Sequence, residues 1–297
     1  MISNEFLQQV VNAISLGAIY SLFALGYAMV FSILGVLNLA HSAVFMWGAF
    51  LGLITVTEIK LPLLLAFPVA MVGAGLIAVA LDFLAFRPLR RRNAPRISQL
   101  IVSIGASALL VSLSQLTFGT DPRRFPFDIL PSGAIQGLPF RVTLIQVIVL
   151  ITALILMVLL NILVLRTRLG QAMRAVAFNQ RTASLLGVNV SGIFASTFFI
   201  AGALAGIAGV LYGLTYNSIL PFMGDQVALK GLTAIVLGGM GSIPGAVLGG
   251  FGVAGLERFS VAVGGSDYRD AVVFLILFLM LLVRPQGLIG QKEQTRA

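Results

Sequence analysis

Long apolar runs recur along this sequence, and they restrict its possible folds more than any other feature. A helix needs about 20 apolar residues to cross the hydrocarbon core of a bilayer. Runs of roughly that length cover residues 7–30, 42–57, 61–86, 97–118, 142–165, 192–216 and 268–283. Two shorter apolar pieces, 228–238 and 245–263, flank a glycine-rich turn and are either short spans or a re-entrant pair. The sequence therefore predicts an all-α, polytopic transmembrane helical bundle of about eight or nine membrane segments, forming one domain over residues 1–297.

Composition excludes a soluble fold. Hydrophobic residues make up 59 % of the chain and charged residues 10 %, where a globular protein has roughly 25 % charged residues. The net charge of +9 does not indicate a nucleic-acid partner, because the basic residues are confined to short segments between the apolar runs. The chain has no cysteine, so thiolates cannot form a zinc site or act as nucleophiles.

The basic segments predict the orientation in the membrane. Lys and Arg concentrate in 87–96, 166–181 and 284–296, and loops rich in these residues stay on the cytoplasmic side. We therefore expect the N-terminus outside and the C-terminus in the cytoplasm. The residues before the first run include no Lys or Arg, so this run is expected to remain as a span.

Four charged residues lie in or beside the runs. Asp82 is placed near the cytoplasmic end of its span, and Lys230, Glu257 and Arg258 near the outer boundary. We interpret them as snorkelling side chains and interfacial ion pairs. A proton relay would need a buried carboxylate or histidine within the bilayer, for which the sequence gives little indication.

Two segments, 34–44 and 237–247, interrupt the apolar pattern and share Leu-Gly and Ala-Val pairs at the same spacing. In both, Gly or Pro loosens the helix, and Ser42, Asn38 or Ser242 could cap the helix that follows. Non-helical backbone inside a bilayer must be buried in protein or line a cavity, and a helix N-terminus attracts an anionic group. These segments either line a substrate pathway or allow close helix packing. The candidate pathway residues are Asn38, His41, Ser42, Gly239, Gly241, Ser242 and Pro244.

His41 is the only histidine and has no carboxylate near it in sequence. A hydrogen-bonding role at the helix start is therefore favoured over metal binding or catalysis. We assign no metal site, no catalytic residue and no cofactor to the chain. Small residues four apart, as at Gly202 with Gly206, Gly209 with Gly213 and Gly245 with Gly249, predict close helix contacts.

Residues 166–190 form a cytoplasmic loop with helical character that is too polar to span. Asn179 can cap a second short helix, and Gly187 can end it in a left-handed conformation. A small apolar face on the first helix requires either a partner protein or the lipid surface. The chain has no phosphate-binding Gly-x-x-x-x-Gly-Lys-Ser/Thr motif, so any energy from ATP must come from other subunits.

Several motifs in order resemble one family along nearly the whole chain. They are the Asn-Leu-Ala-His core within 35–47, Asp-Phe-Leu-Ala-Phe-Arg-Pro at 82–88, the loop from Leu-Gly at 169–170 to Leu-Gly-Val-Asn at 186–189, residues 238–245, and Arg-Pro-Gln-Gly-Leu-Ile-Gly at 284–290. The chain resembles the LivH-type permeases of bacterial branched-chain amino acid ABC importers. It departs from them at Ser42-Ala43, where relatives usually carry Gly and then an acidic residue, and at Phe178-Asn179, where they commonly carry an acidic pair.

The resemblance implies a non-enzymatic permease subunit in the bacterial inner membrane. It implies a heterodimer with a second related permease, two cytoplasmic ABC ATPases, and a periplasmic or extracellular substrate-binding protein. ATP hydrolysis in those subunits would drive uptake of branched-chain amino acids or a related amino acid or amide. It places the ATPase coupling residues in the loop at Gly170, Arg174, Ala177, Asn179, Ala183 and Gly187. The alternative is a self-sufficient secondary transporter or channel for a small organic solute.

Overall fold

A computed structural model describes residues 2–130, 133–135, 141–284 and 286–289. The longer helices are α1 (Ile2–Leu34), α2 (His41–Thr57), α3 (Leu63–Leu81), α5 (Arg96–Phe118), α6 (Leu144–Arg166), α9 (Val190–Tyr216), α10 (Met223–Gly238), α11 (Ile243–Ala262) and α12 (Arg269–Val283). The short helices are α4 (Arg87–Arg91), α7 (Arg168–Phe178) and α8 (Gln180–Leu185). A two-residue antiparallel ribbon pairs β1 (Ala134–Ile135) with β2 (Val142–Thr143).

The prediction of an all-helical polytopic membrane fold is confirmed, because each predicted apolar segment corresponds to one of the longer helices. Within the described ranges, five helices are long and apolar enough to cross a membrane unaided. They are Glu5–Leu34, Leu63–Arg91, Arg96–Phe118, Leu144–Arg166 and Val190–Tyr216. The two shorter apolar pieces, 228–238 and 245–263, which the sequence leaves as short spans or a re-entrant pair, form the helices α10 and α11. The predicted cytoplasmic residues Lys292 and Arg296 lie outside the described part of the chain.

Contacts divide the chain into two compact units, which share the helices α1, α6 and α10. The first unit comprises Met1–Ala28, Pro131–Leu154 and Leu229–Ala297, and the second comprises Met29–Leu130 and Ile155–Ala228. The assignment of 1–297 to a single permease domain stays a prediction.

Helices α2, α3 and α9 form the core of the second unit, and small residues make their close packing possible. A Cβ on Gly202 would lie 2.5 Å from the Ala78 Cβ, and a Cβ on Gly206 would lie 2.6 Å from the Ala74 Cβ. A Cβ on Gly48 would overlap the backbone of Gly206. The predicted close approach along α9 is therefore confirmed.

In the first unit, α10 and α11 form an antiparallel hairpin that packs on α1. A Cβ on Gly249 would overlap the carbonyl of Ala234, and the Ser21 hydroxyl on α1 donates to the Val247 carbonyl at 2.9 Å. Glycines on α11 thus allow its backbone to reach both neighbours.

The end of α3 continues as a single π-helical turn, Asp82–Phe86, which leads into α4. Asp82 Oδ1 lies 2.6 Å from Arg90 Nη2, and the Arg90 guanidinium lies 3.8 Å from the ring centroid of Phe194 at the start of α9. The Asp82 side chain is buried, so this ion pair is shielded from solvent, unlike the interfacial pair predicted from sequence. Asp82 is the first residue of this π turn and is buried there, which the sequence pattern could not indicate.

Candidate functional site

The first interrupted segment is a return of the chain between α1 and α2. Gly35 adopts φ +66°, a left-handed conformation that ends α1. The Asn38 Oδ1 accepts a hydrogen bond from the Ala40 N–H at 3.1 Å, and the Ser42 hydroxyl donates to the Leu39 carbonyl at 2.9 Å. The prediction that Asn38 or Ser42 caps α2 is wrong: Ala40 is the N-cap residue and no side chain caps the helix. Both polar side chains instead stabilise the turn before it.

Hydrogen bonds to α5 place this return inside the span. The Leu39 N–H donates to the Ser103 hydroxyl at 3.2 Å, and the Trp47 indole N–H donates to the Leu110 carbonyl at 2.9 Å. Ser103 lies seven residues into the predicted span α5, about 10 Å from the helix start at 1.5 Å per residue. Helix α2 therefore begins within the depth of α5 rather than at its end.

The first turns of α2 and α10 approach each other closely. A Cβ on Gly224, in the first turn of α10, would overlap the backbone carbonyl of Ser42. His41 and Ser42 are both buried there. Sequence reasoning missed this contact, because one glycine at a helix start carries no distinctive signal.

The second interrupted segment is the turn between α10 and α11. Gly239 and Gly241 have φ of +111° and +83°, and the Ser242 hydroxyl accepts from the Gly245 N–H at 3.2 Å, which confirms Ser242 as a cap. Pro244 occupies the first turn of α11, where its missing N–H costs little.

Residues after α12 close this turn. The Leu288 N–H donates to the Leu237 carbonyl at 2.8 Å, and the Ile289 N–H donates to the Gly238 carbonyl at 2.9 Å. These bonds satisfy carbonyls at the end of α10 that have no partner within the helix. The turn therefore lies level with the end of α12, where the chain leaves the predicted span.

In the loop, Gly170 and Arg174 hold α7 against the end of α6. A Cβ on Gly170 would overlap the carbonyls of Leu163 and Val164, and the Arg174 guanidinium donates to the Val164 carbonyl. The Thr167 hydroxyl caps α7 by accepting from the Gly170 N–H at 3.1 Å. The sequence predicted a helix here but did not indicate this attachment.

The predicted ends of α8 are confirmed. The Asn179 Oδ1 accepts from the Thr182 N–H at 3.0 Å, and Gly187 adopts φ +84°. The Val188 N–H donates to the Ala183 carbonyl and the Gly187 N–H to the Ser184 carbonyl, a Schellman arrangement that fixes the end of the helix.

Of the predicted coupling residues, Ala183 is only 2 % exposed and Ala177 is half-buried. Arg174, Asn179 and Gly187 are exposed, and the largest exposed apolar side chains of the loop are Phe178, Leu185 and Leu186, at 78–82 %. We call these three residues the loop patch. Sequence reasoning noted Phe178 as a departure from the family pattern but did not identify the patch.

One side chain connects the loop to the first interrupted segment. The Gln180 Nε2 donates to the Ile33 carbonyl at 3.1 Å. Gln180 is the first residue of α8, and Ile33 lies in the last turn of α1, two residues before the left-handed Gly35. A displacement of α8 would therefore act on the point where α1 ends.

The first unit contains an ionic cluster on α1, α10, α11 and α12, in which Glu257 is buried, Lys230 is largely buried and Asp270 is about half exposed. Lys230 Nζ lies 2.9 Å from Glu257 Oε1 and 3.3 Å from Asp270 Oδ1, and the Tyr20 hydroxyl donates to Glu257 Oε2 at 3.0 Å. Glu257 is only 2 % exposed. Lys230 and Glu257 form an ion pair, as the sequence interpretation allowed, but the pair is largely buried rather than snorkelling to the interface.

Comparisons with known proteins agree on one family. Residues 9–281 match the family described as branched-chain amino acid transport system / permease component. The high-affinity branched-chain amino acid transport system permease protein BraD of Pseudomonas aeruginosa is 36 % identical, over 97 % of both chains. The corresponding protein LivH of Escherichia coli K12 is 37 % identical, over 97 % of this chain and 96 % of its own.

A more distant similarity covers only part of the chain. The ribose import permease protein RbsC of Escherichia coli K12 is 31 % identical over 127 residues, 39 % of each chain. No solved structure matches the chain.

Proposed function

Since the chain belongs to the family of branched-chain amino acid transport permeases, we propose that it is the permease subunit of a binding-protein-dependent ABC importer. The substrate is a branched-chain amino acid or a related amino acid or amide, moved across the bacterial inner membrane. The observation that carries the proposal is the match to permease components over residues 9–281, together with full-length relatives of the same kind.

The loop 166–190 is the docking site for the ATPase partners. Helix α7 is held against the end of α6, and Gln180 of α8 donates to the last turn of α1, so a force on the loop reaches both spans. The loop patch exposes three large apolar side chains beside basic residues of the same loop, such as Arg181. Such a patch fits an apolar groove with an acidic rim on a partner protein.

The assembly contains two ATPases, a second related permease and a substrate-binding protein on the outer side. The chain itself supplies the pathway and performs no catalysis; the energy comes from ATP hydrolysis in its partners. The basic segments 87–96 and 166–181 face the cytoplasm and the N-terminus lies outside, as the distribution of Lys and Arg favours.

The pathway passes the start of α2. Asn38, His41 and Ser42 are buried polar residues on non-helical or helix-start backbone that lies within the depth of α5. Such backbone is tolerated in a membrane where it is enclosed by protein or lines a cavity. Gly239, Gly241, Ser242 and Pro244 form the end of the α10–α11 hairpin and contribute as a hinge.

A self-sufficient secondary transporter is the second candidate, and buried Glu257 is the observation that favours it, because proton-coupled carriers use buried carboxylates. Its ion pair with Lys230 argues for the importer. Both carboxylate oxygens of Glu257 have partners among the described residues, Lys230 Nζ at 2.9 Å and the Tyr20 hydroxyl at 3.0 Å, as in a structural ion pair.

Co-purification tests the proposal. The chain is expressed with its candidate ATPases and partner permease, and we expect all of them in one detergent-stable complex. Replacing Ala177 with Trp places a bulky side chain beside the loop patch and should abolish ATPase recovery while the membrane protein keeps its melting temperature. Full ATPase recovery with this variant would argue against docking on the loop.

A further inference from the structure

Gln99 on α5 is a buried polar residue to which neither the sequence nor the proposed pathway gives a role. Its side chain is 8 % exposed, and its Oε1 has no hydrogen-bond partner among the residues that the structure describes. A buried amide oxygen without a partner costs about 1–3 kcal/mol. A group of this kind in a folded protein calls for a ligand or another functional reason.

The helical register aims Gln99 at the return that precedes α2. Arg96, Gln99 and Ser103 lie three and four residues apart, and therefore on one face of α5. The Arg96 guanidinium lies 3.9 Å from the position of a Cβ on Gly35, and the Ser103 hydroxyl accepts from the Leu39 N–H. Gln99 lies between the two, so it is on the face of α5 that meets this return.

The start of α2 supplies the complementary chemistry. This helix has 17 residues and no side-chain cap, so its first N–H groups keep their partial positive charge. The His41 N–H donates to the Asn38 carbonyl at 3.2 Å, whereas within the described ranges no bond is seen at the N–H groups of Ser42 and Ala43. Backbone donors at a helix start suit a carboxylate.

The backbone N–H donors at the start of α2 and the acceptor oxygen of Gln99 together match the carboxylate and the ammonium group of a zwitterion. We propose, on the basis of the function proposed above, that Gln99 Oε1 accepts a hydrogen bond from the substrate ammonium group while the start of α2 binds its carboxylate. The Ser103 hydroxyl, by contrast, is already engaged with backbone, accepting from the Leu39 N–H and donating to the Leu100 carbonyl at 2.7 Å. The site thus selects α-amino acids at the level of the permease.

Three variants separate a ligand role from a structural one. Gln99→Leu removes the acceptor, Gln99→Glu keeps an acceptor of the same shape, and Gln115→Leu is the matched control, a glutamine on the same helix that is partly exposed. Each is reconstituted into liposomes as the complete importer, with ATPases, partner permease and leucine-loaded binding protein, and uptake of radiolabelled leucine is measured.

We expect Gln99→Leu to lower turnover on the order of tenfold, the effect of losing one hydrogen bond to a charged group. Its melting temperature should equal or exceed that of the parent, because an unpaired polar group has been removed. Gln99→Glu should transport faster than Gln99→Leu, because its carboxylate also accepts from an ammonium group. Gln115→Leu should stay within about twofold of the parent.

Equal uptake by Gln99→Leu and Gln115→Leu would overturn the inference, as would slower uptake by Gln99→Glu than by Gln99→Leu. A loss of uptake together with a lower melting temperature would identify Gln99 as structural and would also overturn it. Failure of the proposed function looks different, since the parent assembly itself would then show no ATP-dependent uptake.

Discussion

The ion pair between Lys230 and Glu257 gives the sharpest stability prediction. Their charged atoms lie 2.9 Å apart, and the two side chains are 13 % and 2 % exposed. At an effective dielectric constant of about 20, two unit charges at this distance attract by about 6 kcal/mol. Removing each charge from water costs several kcal/mol, so the pair as a whole contributes little net stability. Loss of one partner leaves the other charge buried.

The two single variants are expected to differ. Lys230→Met should lower the free energy of unfolding by about 3–5 kcal/mol, because among the described residues Glu257 then keeps the Tyr20 hydroxyl and Arg269, whose Nε lies 4.0 Å away. Glu257→Gln should cost less, about 2–3 kcal/mol, because Lys230 keeps Asp270 at 3.3 Å. The double variant should be more stable than Lys230→Met, since no unpaired charge remains.

Equilibrium unfolding in mixed micelles measures all three variants as a double-mutant cycle. We expect a coupling energy of about 2 kcal/mol or more and substantial uptake by the double variant in the reconstituted importer. Additive losses would show that the two charges do not act as a pair. Abolished uptake in a stable double variant would favour a proton-coupled carrier and refute the reasoning.

Three further predictions concern the second unit. Leu185→Glu should lower ATPase recovery at least tenfold, whereas Phe127→Glu, at an apolar residue that is 75 % exposed and lies outside the loop, should leave recovery unchanged. Equal recovery of the two variants would exclude docking on the loop patch. Gln180→Leu should lower the ratio of uptake to ATP hydrolysis about two- to tenfold, because it removes one hydrogen bond between α8 and the end of α1. The complex should still form. An unchanged ratio would contradict the coupling of α8 to α1. Gly48→Ala should destabilise the protein by about 1–3 kcal/mol in thermal unfolding. Its control, Gly105→Ala, should be neutral or stabilising, because nothing lies within 4 Å of a Cβ at that position. Similar melting temperatures for the two variants would contradict the packing of α2 on α9.

Much of the fold could be predicted from sequence, because apolar length and helix caps are local properties. The spans, the Asn179 and Ser242 caps and the left-handed Gly187 all follow from short segments of chain. The N-cap of α2 was predicted wrongly, because Asn38 and Ser42 bond within the preceding turn and leave Ala40 in the capping position.

The candidate site depended on contacts between distant parts of the chain. The approach of Gly224 to Ser42, the orientation of Gln99 and the Lys230–Glu257 pair each join separate helices. Nothing in the local sequence identifies the partner in these cases. Hydrophobicity indicated which segments enter the membrane but not which faces meet there.

Uptake in a defined system tests the central claim most directly. Liposomes contain this chain with its partner permease and both ATPases, and they receive ATP and, separately, binding protein loaded with leucine. Their leucine uptake is compared with that of liposomes that contain this chain alone and carry a proton gradient. The account predicts uptake that requires ATP, the ATPases and the binding protein together, and none by the chain alone. Gradient-driven uptake by the chain alone would contradict it.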